Sequence, residues 1–250
     1  MNKVFIGWDP REDIAYQVSE HSILKRSPNA DVVPLVQADL RTVGLYTRPV
    51  DPLSSTEFTF TRFLIPAIMN YKGWAMFTDC DIIFLEDVQN LFDLIDDQYA
   101  IMCAKHNYEV KEEVKMDGKA QTVYPRKNWS SVMLINCGHP SNAKLTVDLI
   151  NNPETTGKFL HRFGWLKDDE IGEFSHEWNW LVNVYQEPKD GKPIGIHHTS
   201  GGPWFKNYRN CEYKNIWVKE FNKMMKPNFY TIGEGNGVLE HFAKGSGGEV

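Results

Sequence analysis

Two carboxylates, Asp79 and Asp81, interrupt an otherwise apolar run of the sequence. Residues 74–78 before them read Trp-Ala-Met-Phe-Thr, and residues 82–85 after them read Ile-Ile-Phe-Leu. A buried carboxylate requires a counter-charge, a metal ion or a proton. In an extended chain, residues i and i+2 point to the same side, so both acids can face one ion. Their oxygens suit Mg²⁺ or Mn²⁺, and such an ion offsets the charge of a leaving diphosphate. The alternative is a turn or capping aspartate beside a solvated one, and the apolar flanks favour the metal.

A pair of adjacent histidines offers a third metal ligand. His197 and His198 precede the segment Gly201-Gly202-Pro203-Trp204. Neighbouring side chains of an extended segment face opposite ways, so we expect one of the two imidazoles to be a ligand. The spacing to Gly201 favours His198, and His197 is then a packed residue or a support of the site.

The elements that position these residues begin with a βαβ pattern. Residues 4–6 and 32–36 are apolar runs typical of buried strands, and residues 11–26 between them contain few helix breakers. This order predicts a parallel sheet, in which ligands bind at the carboxyl ends of the strands.

The rest of the chain continues the alternation of strands and helices. Pro66 lies inside the helix predicted at residues 59–71, so that helix would begin late or kink at the proline. We expect strands at residues 74–78 (continuing through 82–85), 100–104, 131–137 and 194–197, helices at 59–71, 88–95, 141–151 and 213–225, and loops at 39–57 and 105–127. The length favours one domain over residues 1–232, and the six glycines of residues 233–250 predict a loosely ordered tail.

Bulk composition excludes several classes of protein. The net charge of −6 argues against a broad nucleic-acid surface. The four cysteines contain no Cys-x-x-Cys pair, which argues against a zinc site or a disulfide framework and favours reduced thiols in the cytoplasm. No stretch reaches the roughly 18 apolar residues of a membrane span. The aromatic content, which includes eight tryptophans, favours a face that stacks on sugars or bases, although core packing explains most of these residues.

Five segments in order resemble the GT-A glycosyltransferases, in particular the family 8 type and its relatives. The acidic segment is the central one of the five. The others are Ile6-Gly7-Trp8-Asp9, Thr61-Arg62-Phe63-Leu64-Ile65-Pro66, Val132-Met133-Leu134-Ile135-Asn136 and His198-Thr199-Ser200-Gly201-Gly202-Pro203-Trp204. The resemblance covers residues 4–205 and implies a GT-A fold, a mixed and mainly parallel Rossmann-like sheet flanked by helices.

The resemblance also implies a set of roles. The donor is a nucleotide sugar, usually a UDP-sugar, and transfer retains the anomeric configuration. The metal is manganese, bound by Asp79, Asp81 and His198; this donor set suits manganese better than calcium. Gly7 and Asp9 belong to the nucleotide-base loop. Residues 168–170 align with an Asp-Gln-Asp segment that faces the donor sugar, which makes candidates of three acids: Asp168, Asp169 and Glu170.

The sequence departs from the family pattern at two places. Trp129 and Ser131 replace an Asn and a Gly before the strand that lines the acceptor side. Gly202 stands where the family often has a Lys that touches the diphosphate. Either Lys206 or the backbone amides of Gly201 and Gly202 would then make that contact.

Several roles stay open from sequence alone. Asp9 binds the base, caps the following helix, or does both. Arg62 pairs either with phosphate or with an acid of the metal site. The acids at 168–170 either stabilise an oxocarbenium-like transition state, act as a nucleophile, or form a solvated turn. The lysine-bearing helix at 213–225 either packs as an ordinary surface helix or rests on an anionic membrane.

The sequence therefore predicts a glycosyltransferase that moves a sugar from a nucleotide diphosphate, with Mn²⁺ or Mg²⁺, to a hydroxyl of a glycan or lipid-linked acceptor. Two rivals remain. A sugar nucleotidyltransferase would carry a Gly-rich basic loop after its first strand, whereas Gly7-Trp8-Asp9-Pro10 is neither. A non-catalytic carbohydrate-binding protein would use the tryptophans but has no need of buried acids beside a histidine motif.

Overall fold

The computed structural model describes residues 2–49, 54–107 and 126–226. The predicted loop at 105–127 lies mostly outside these ranges, and the predicted tail at 233–250 lies wholly outside them. The strands of the described part are β1 (Lys3–Gly7), β2 (Asp31–Leu35), β3 (Trp74–Thr78), β4 (Ile82–Phe84), β5 (Ile101–Cys103), β6 (Val132–Asn136), β7 (Ile171–Glu173), β8 (Trp180–Leu181) and β9 (Gly195–His197). The α-helices are α1 (Asp13–Arg26), α2 (Gln37–Thr42), α3 (Phe58–Thr61), α4 (Ile65–Ile68), α5 (Gln89–Phe92), α6 (Val147–Asn151), α7 (Gly157–His161) and α8 (Lys214–Met225).

The predicted βαβ unit is confirmed. Strand β1 pairs in parallel with β2 on one side and with β3 on the other, and α1 connects β1 to β2. Pro34 lies in β2, which is an edge strand of the sheet. The edge explains why a proline is tolerated there, since its missing N–H is not needed by a further strand.

The main sheet has six strands in the order β2-β1-β3-β6-β5-β7. Strand β6 is antiparallel to both of its neighbours, whereas the pairs β1–β2, β1–β3 and β5–β7 are parallel. The sheet is therefore mixed and mainly parallel, which confirms the predicted fold class. Thr78 at the end of β3 lies opposite Val132 at the start of β6, so these two residues mark the same edge of the sheet.

The expectation that strand 74–78 continues through 82–85 is wrong. Strand β4 belongs to a second sheet of three strands, in the order β4-β9-β8. Between the sheets, the backbone N–H of Asp79 donates to the carbonyl of Ser131 at 2.8 Å, and the N–H of His198 donates to the carbonyl of Asp81 at 3.1 Å. The acidic segment is thus the turn that joins two sheets.

Three predicted segments have a different helical structure from the one expected. Residues 59–71 form α3, a 3₁₀ turn and α4, and Pro66 occupies the first turn of α4, where its missing N–H costs nothing. Residues 141–151 divide into a 3₁₀ helix (Pro140–Lys144) and α6. The predicted loop at 39–57 begins within α2, whose Leu40 is buried.

The amphipathic helix predicted near the end of the described chain is confirmed as α8. Its Trp217 packs with Val18 of α1 and Ile83 of β4 in a small apolar cluster. The buried Glu220 accepts hydrogen bonds from Arg26 and Lys25, so α8 is fixed to α1 by charge as well as by apolar contact. None of the described helices has the length and apolar character needed to cross a bilayer.

Candidate active site

The two predicted acids meet a histidine at the junction of the two sheets. Ligand atoms of Asp79, Asp81 and His197 all lie within 4.8 Å of one another. Asp79 and Asp81 belong to the turn after β3, and His197 comes from β9, opposite Ile82 of β4. The imidazole Nε2 of His197 lies 3.3 Å from Oδ1 of Asp81. The pairing of β4 with β9 therefore places the histidine beside the acids.

Asp79 is held by the buried guanidinium of Arg62. Nη1 of Arg62 donates to Oδ1 of Asp79 at 2.7 Å and to the carbonyl of Ser130 at 2.8 Å, and its Nε donates to the carbonyl of Phe58 at 3.1 Å. The guanidinium carbon also lies 4.6 Å from the centre of the Phe77 ring. Of the two roles considered for Arg62, the structure shows the pairing with an acid.

The tautomer of His197 follows from its buried partner Asn179. The Asn179 side-chain nitrogen donates to the carbonyl of Asn128 at 3.2 Å and to Oγ of Ser131 at 2.9 Å. Its oxygen consequently faces Nδ1 of His197 at 2.8 Å, and an oxygen requires a proton on that nitrogen. Neutral His197 thus carries its proton on Nδ1, and its Nε2 lone pair is directed toward Asp81, as a metal ligand requires.

His198, the histidine favoured by the sequence, lies outside the cluster formed by the described residues. It is 1% exposed, packs edge-on against Trp204, and has no hydrogen-bond partner at Nε2 among the residues the structure covers. Burial lowers the pKa of His198 to about 4, so the ring is neutral at neutral pH. The structure gives His197 the place beside the acids, because neighbouring side chains of β9 alternate in direction.

The donor set of this cluster suits a divalent cation. Two carboxylates and one neutral imidazole leave further positions of an octahedron for other oxygen ligands. Such a combination of oxygen and nitrogen donors fits Mn²⁺ or Mg²⁺. Asp79, Asp81 and His197 are therefore the candidate metal ligands.

A pocket opens beside this cluster at the carboxyl end of β1. Arg11 and Glu12 line it on the β1 side, Phe58 and Thr56 line it near α3, and Thr199 lines it beyond β9. A site at the carboxyl ends of parallel strands is where the sheet topology places a ligand.

Asp9, predicted to bind the base or to cap a helix, is shown as a cap. It is 1% exposed, and its carboxylate accepts hydrogen bonds from the backbone N–H of Arg11, from the Arg11 guanidinium and from the N–H of Glu57. Although burial alone would raise the pKa of Asp9, the bonds from Arg11 hold it below its usual value. The ionised Asp9 thus orients Arg11, whose side chain is 39% exposed and lines the pocket.

The predicted glycines have packing roles in this structure. A Cβ on Gly7 would lie 2.4 Å from the ring of Phe58, so the ring can occupy its place beside the pocket only because residue 7 has no side chain. Gly201 has a φ of +122°, and its N–H donates to the carbonyl of His198 at 2.7 Å. A Cβ on Gly202 would lie 2.0 Å from Trp204. Lys206 is exposed at the start of a 3₁₀ turn.

The three acids predicted to face the donor sugar are not among the residues that line this pocket. Asp168 and Asp169 are exposed on a 3₁₀ turn, and Asp168 pairs with Arg126. The carbonyl of Glu170 accepts from Ala100, whose own carbonyl accepts from Asn136 at the far end of β6. Glu170 also caps the turn by accepting from the N–H of Lys167 at 2.7 Å. The sheet register therefore places Glu170 at the edge opposite Asp79, and the geometry favours the solvated-turn alternative.

The two positions that depart from the family pattern take part in polar contacts beside the site. Ser131 donates through Oγ to the carbonyl of Asn128, which itself lines the pocket. Trp129 donates through its indole N–H to the carbonyl of His106 at 3.0 Å, and the Arg126 guanidinium lies 5.3 Å from its ring centre. Of the residues in these contacts, Asn128 lines the pocket itself, and the others lie behind it.

Four contributors to the site were missed by sequence reasoning or given other roles: Arg11, Glu12, Asn179 and His197. The rule that ligands bind at the carboxyl ends of parallel strands would have identified Arg11 and Glu12, which lie in the short helix after β1. Nothing local in the sequence identifies Asn179, because its role comes from the pairing of β8 with β9.

Comparison with known proteins gives one relative at high identity. The chain is 51% identical to Protein CDI of Arabidopsis thaliana over 230 residues, which cover 90% of this chain and 88% of that protein. No family model matches the sequence.

Solved structures with a similar fold are glycosyltransferases. GlyE of Streptococcus pneumoniae TIGR4 superposes with a TM-score of 0.59 at 15% identity, over 89% of this chain and 62% of that one. The bifunctional glycosyltransferase WbbM gives 0.54 at 14% identity, over 88% and 51%. The galactosyltransferase LgtC gives 0.52 at 11% identity, over 89% and 96%. The chain thus spans about three-fifths of the GlyE chain and half of the WbbM chain. At these identities the similarity shows the fold, and the predicted GT-A fold is confirmed.

Proposed function

This chain belongs to the family of the Arabidopsis thaliana Protein CDI, and we propose that it is a metal-dependent glycosyltransferase. It would move a sugar from a nucleotide diphosphate donor to an acceptor hydroxyl. The observation that carries this proposal is the cluster of Asp79, Asp81 and His197 at the carboxyl end of β3. In a GT-A fold, this is the edge of the sheet at which the parallel strands end and a ligand binds.

Asp79, Asp81 and His197 would hold Mn²⁺ or Mg²⁺. When bound, the cation offsets the charge that develops on the departing diphosphate. A bound cation would also explain why two carboxylates occur in so apolar a segment, because it would neutralise charge that burial otherwise makes costly.

The chain's own residues would prepare the site before substrate arrives. Arg62 fixes Asp79, and Asn179 fixes the His197 ring with Nε2 directed toward Asp81. Arg11, held by Asp9, presents a partly exposed guanidinium to the pocket. A guanidinium so fixed suits a phosphate oxygen, because little side-chain freedom is lost on binding.

We further propose a UDP-sugar as donor, a glycan or lipid-linked hydroxyl as acceptor, and transfer with retention. These finer statements rest on the resemblance of the sequence motifs to family 8 glycosyltransferases. Support for a sugar substrate comes from LgtC, which shares the fold and was crystallised with donor and acceptor sugar analogues. Retention is checked by the anomeric proton coupling of the product in NMR spectra.

The experiment that tests the proposal is calorimetric titration with UDP, with and without Mn²⁺. The wild type should bind UDP only with the metal, and Asp81→Ala should abolish that binding. Asp168→Ala, which removes an exposed acid outside the pocket, is the matched control and should bind as the wild type does. A screen of UDP-sugars for hydrolysis then follows.

Failure of UDP to bind under both conditions would remove the uridine assignment. If GDP and CDP also failed, the glycosyltransferase proposal would be abandoned. Tight donor binding without hydrolysis or transfer would instead indicate a non-catalytic binding protein.

A further inference from the structure

Glu12 is a buried carboxyl group that the reactions discussed so far do not use. It ends the 3₁₀ helix Pro10–Glu12, directly after the loop at the carboxyl end of β1. Only 2% of the residue is exposed, yet it lines the same pocket as Asp79, Asp81 and His197. Its Oε2 atom is buried and has no hydrogen-bond partner among the described residues.

A side chain of this kind calls for an explanation, because a buried polar atom without a partner carries its full desolvation cost. Asp9 caps the 3₁₀ helix, and Glu12, although it is the N-cap residue of α1, makes no side-chain cap hydrogen bond. Glu12 also differs from Glu220, the other buried glutamate with a charged environment, which accepts from Arg26 and Lys25.

The formal charges around the pocket point to the ligand. Four carboxylates meet there, those of Asp9, Glu12, Asp79 and Asp81. Two guanidinium groups accompany them, with Arg11 paired to Asp9 and Arg62 paired to Asp79. Burial, together with the nearby charges of Asp81, Asp9 and Asp79, raises the pKa of Glu12 to about 9, so Glu12 holds a proton at neutral pH unless a cation lies nearby. A nearby cation favours the ionised form. With all four acids ionised, two negative charges would remain, which is the charge that one divalent cation balances.

We propose that Glu12 is a fourth protein group of the cation site, contributing the second uncompensated negative charge toward the ion held by Asp79, Asp81 and His197. This inference rests on the proposed metal-dependent function. It assigns a role in metal affinity to a residue of the loop after β1, outside the Asp-x-Asp turn and the histidine strand. Changes to residues just outside the direct ligands of a metal typically alter its affinity by about 10- to 100-fold.

The test measures the dissociation constant of Mn²⁺ alone, by the electron paramagnetic resonance signal of the free ion, without nucleotide. Glu12→Gln keeps the shape of the side chain and removes its charge, and we expect Mn²⁺ to bind about 10- to 100-fold more weakly. Glu154→Gln makes the same change at an exposed position and should leave the constant unchanged. Asp81→Asn should abolish binding.

The outcomes separate the two proposals. If the wild type binds no Mn²⁺, the metal-dependent function fails and the role of Glu12 fails with it. If the wild type binds, Asp81→Asn does not, and Glu12→Gln binds like the wild type, only the inference about Glu12 is overturned. Should Glu12→Gln not fold, the pair Glu12→Asp and Glu12→Asn decides, since these two differ in charge at equal length. Equal Mn²⁺ affinity in that pair would overturn the inference, and weaker binding by the asparagine variant would support it.

Discussion

Arg62 and Asp79 form a partly buried ion pair, with 2.7 Å between Nη1 and Oδ1, within the cluster that we assign to a cation. Arg62 and a bound cation would therefore share one carboxylate. The guanidinium neutralises Asp79, and it would repel a cation bound to the same carboxylate. This shared use of Asp79 leads to the first prediction.

Arg62→Met should destabilise the metal-free protein by about 3–5 kcal/mol, because it leaves Asp79 without its buried partner. The same change should tighten Mn²⁺ binding, since a nearby positive charge is removed. Thermal unfolding should thus show a larger Mn²⁺-induced rise in Tm for the variant than for the wild type. Arg209→Met, at an exposed position, should change neither quantity. An equal rise in Tm for all three proteins would contradict the shared use of Asp79.

Gly7→Ala should cost about 1–3 kcal/mol, because a Cβ at this position would lie 2.4 Å from the ring of Phe58 and force it to move. Gly138→Ala is the control, since its nearest atoms would lie 3.7 Å from the new Cβ. Urea unfolding measures both changes. Adding Phe58→Leu to Gly7→Ala should recover part of the loss, and no recovery would show that the ring is not the obstacle.

Asn179→Leu should weaken Mn²⁺ binding by about 10- to 100-fold, because His197 loses the oxygen that fixes its ring and its Nδ1 proton. Asn142→Leu is a matched control. Asn142 is equally buried, but it bonds to the carbonyls of Ala100 and Asn136 at the other end of the sheet. Both variants should lose stability in urea, and only the first should lose Mn²⁺ affinity. A similar loss of affinity in both would trace the effect to general destabilisation.

His106 should make the free energy of unfolding depend on pH. Burial lowers its pKa from the usual 6.5 to about 3, so between these values the unfolded chain binds a proton that the folded chain does not. The free energy of unfolding is therefore highest above pH 6.5. As the pH falls from 6.5 to about 3, this free energy decreases by about 1.4 kcal/mol per pH unit. Urea titrations at several pH values should show this extra slope in the wild type and not in His106→Gln. Parallel slopes in the two proteins would count against it.

Asp168→Asn and Asp169→Asn together should leave the metal-dependent affinity for UDP within about twofold, because both side chains are exposed and lie outside the pocket. Asp81→Asn, measured in the same titration, should lose binding. If the double variant lost UDP affinity to the same extent as Asp81→Asn, these two acids would belong to the donor site. Turnover of the double variant, once a donor is known, tests the catalytic role implied by the family resemblance.

Sequence reasoning succeeded where structure is set by local apolar runs. The segments around Val4, Ala75 and Val132 are strands whose side chains are buried on both faces of one sheet, and the edge strand around Val32 is partly buried. The acids at 79 and 81 were identified for the same reason, as charges within an apolar segment. The fold class followed from the order of these elements.

The remainder depends on contacts between distant parts of the chain. Whether Ile82–Phe84 extends β3 or starts a new sheet is decided by β9, which lies far along the sequence. The choice between His197 and His198 is decided by the register of that same pairing, and a shift of one residue would exchange them. The acidic run at 168–170 looks functional in isolation, and only the register of β7 on β5 shows which edge of the sheet it occupies.

The pairing of β4 with β9 has a consequence for biosynthesis. On the ribosome, the strand after the two aspartates emerges long before its partner, and the apolar Ile82-Ile83-Phe84 has no sheet to join until residues 195–197 follow. The first βαβ unit can assemble early, since its contacts are local, whereas the second sheet must wait. The proposed metal site would therefore be complete only after residues 195–197 have emerged, so a chain terminated before them would carry both aspartates and lack His197.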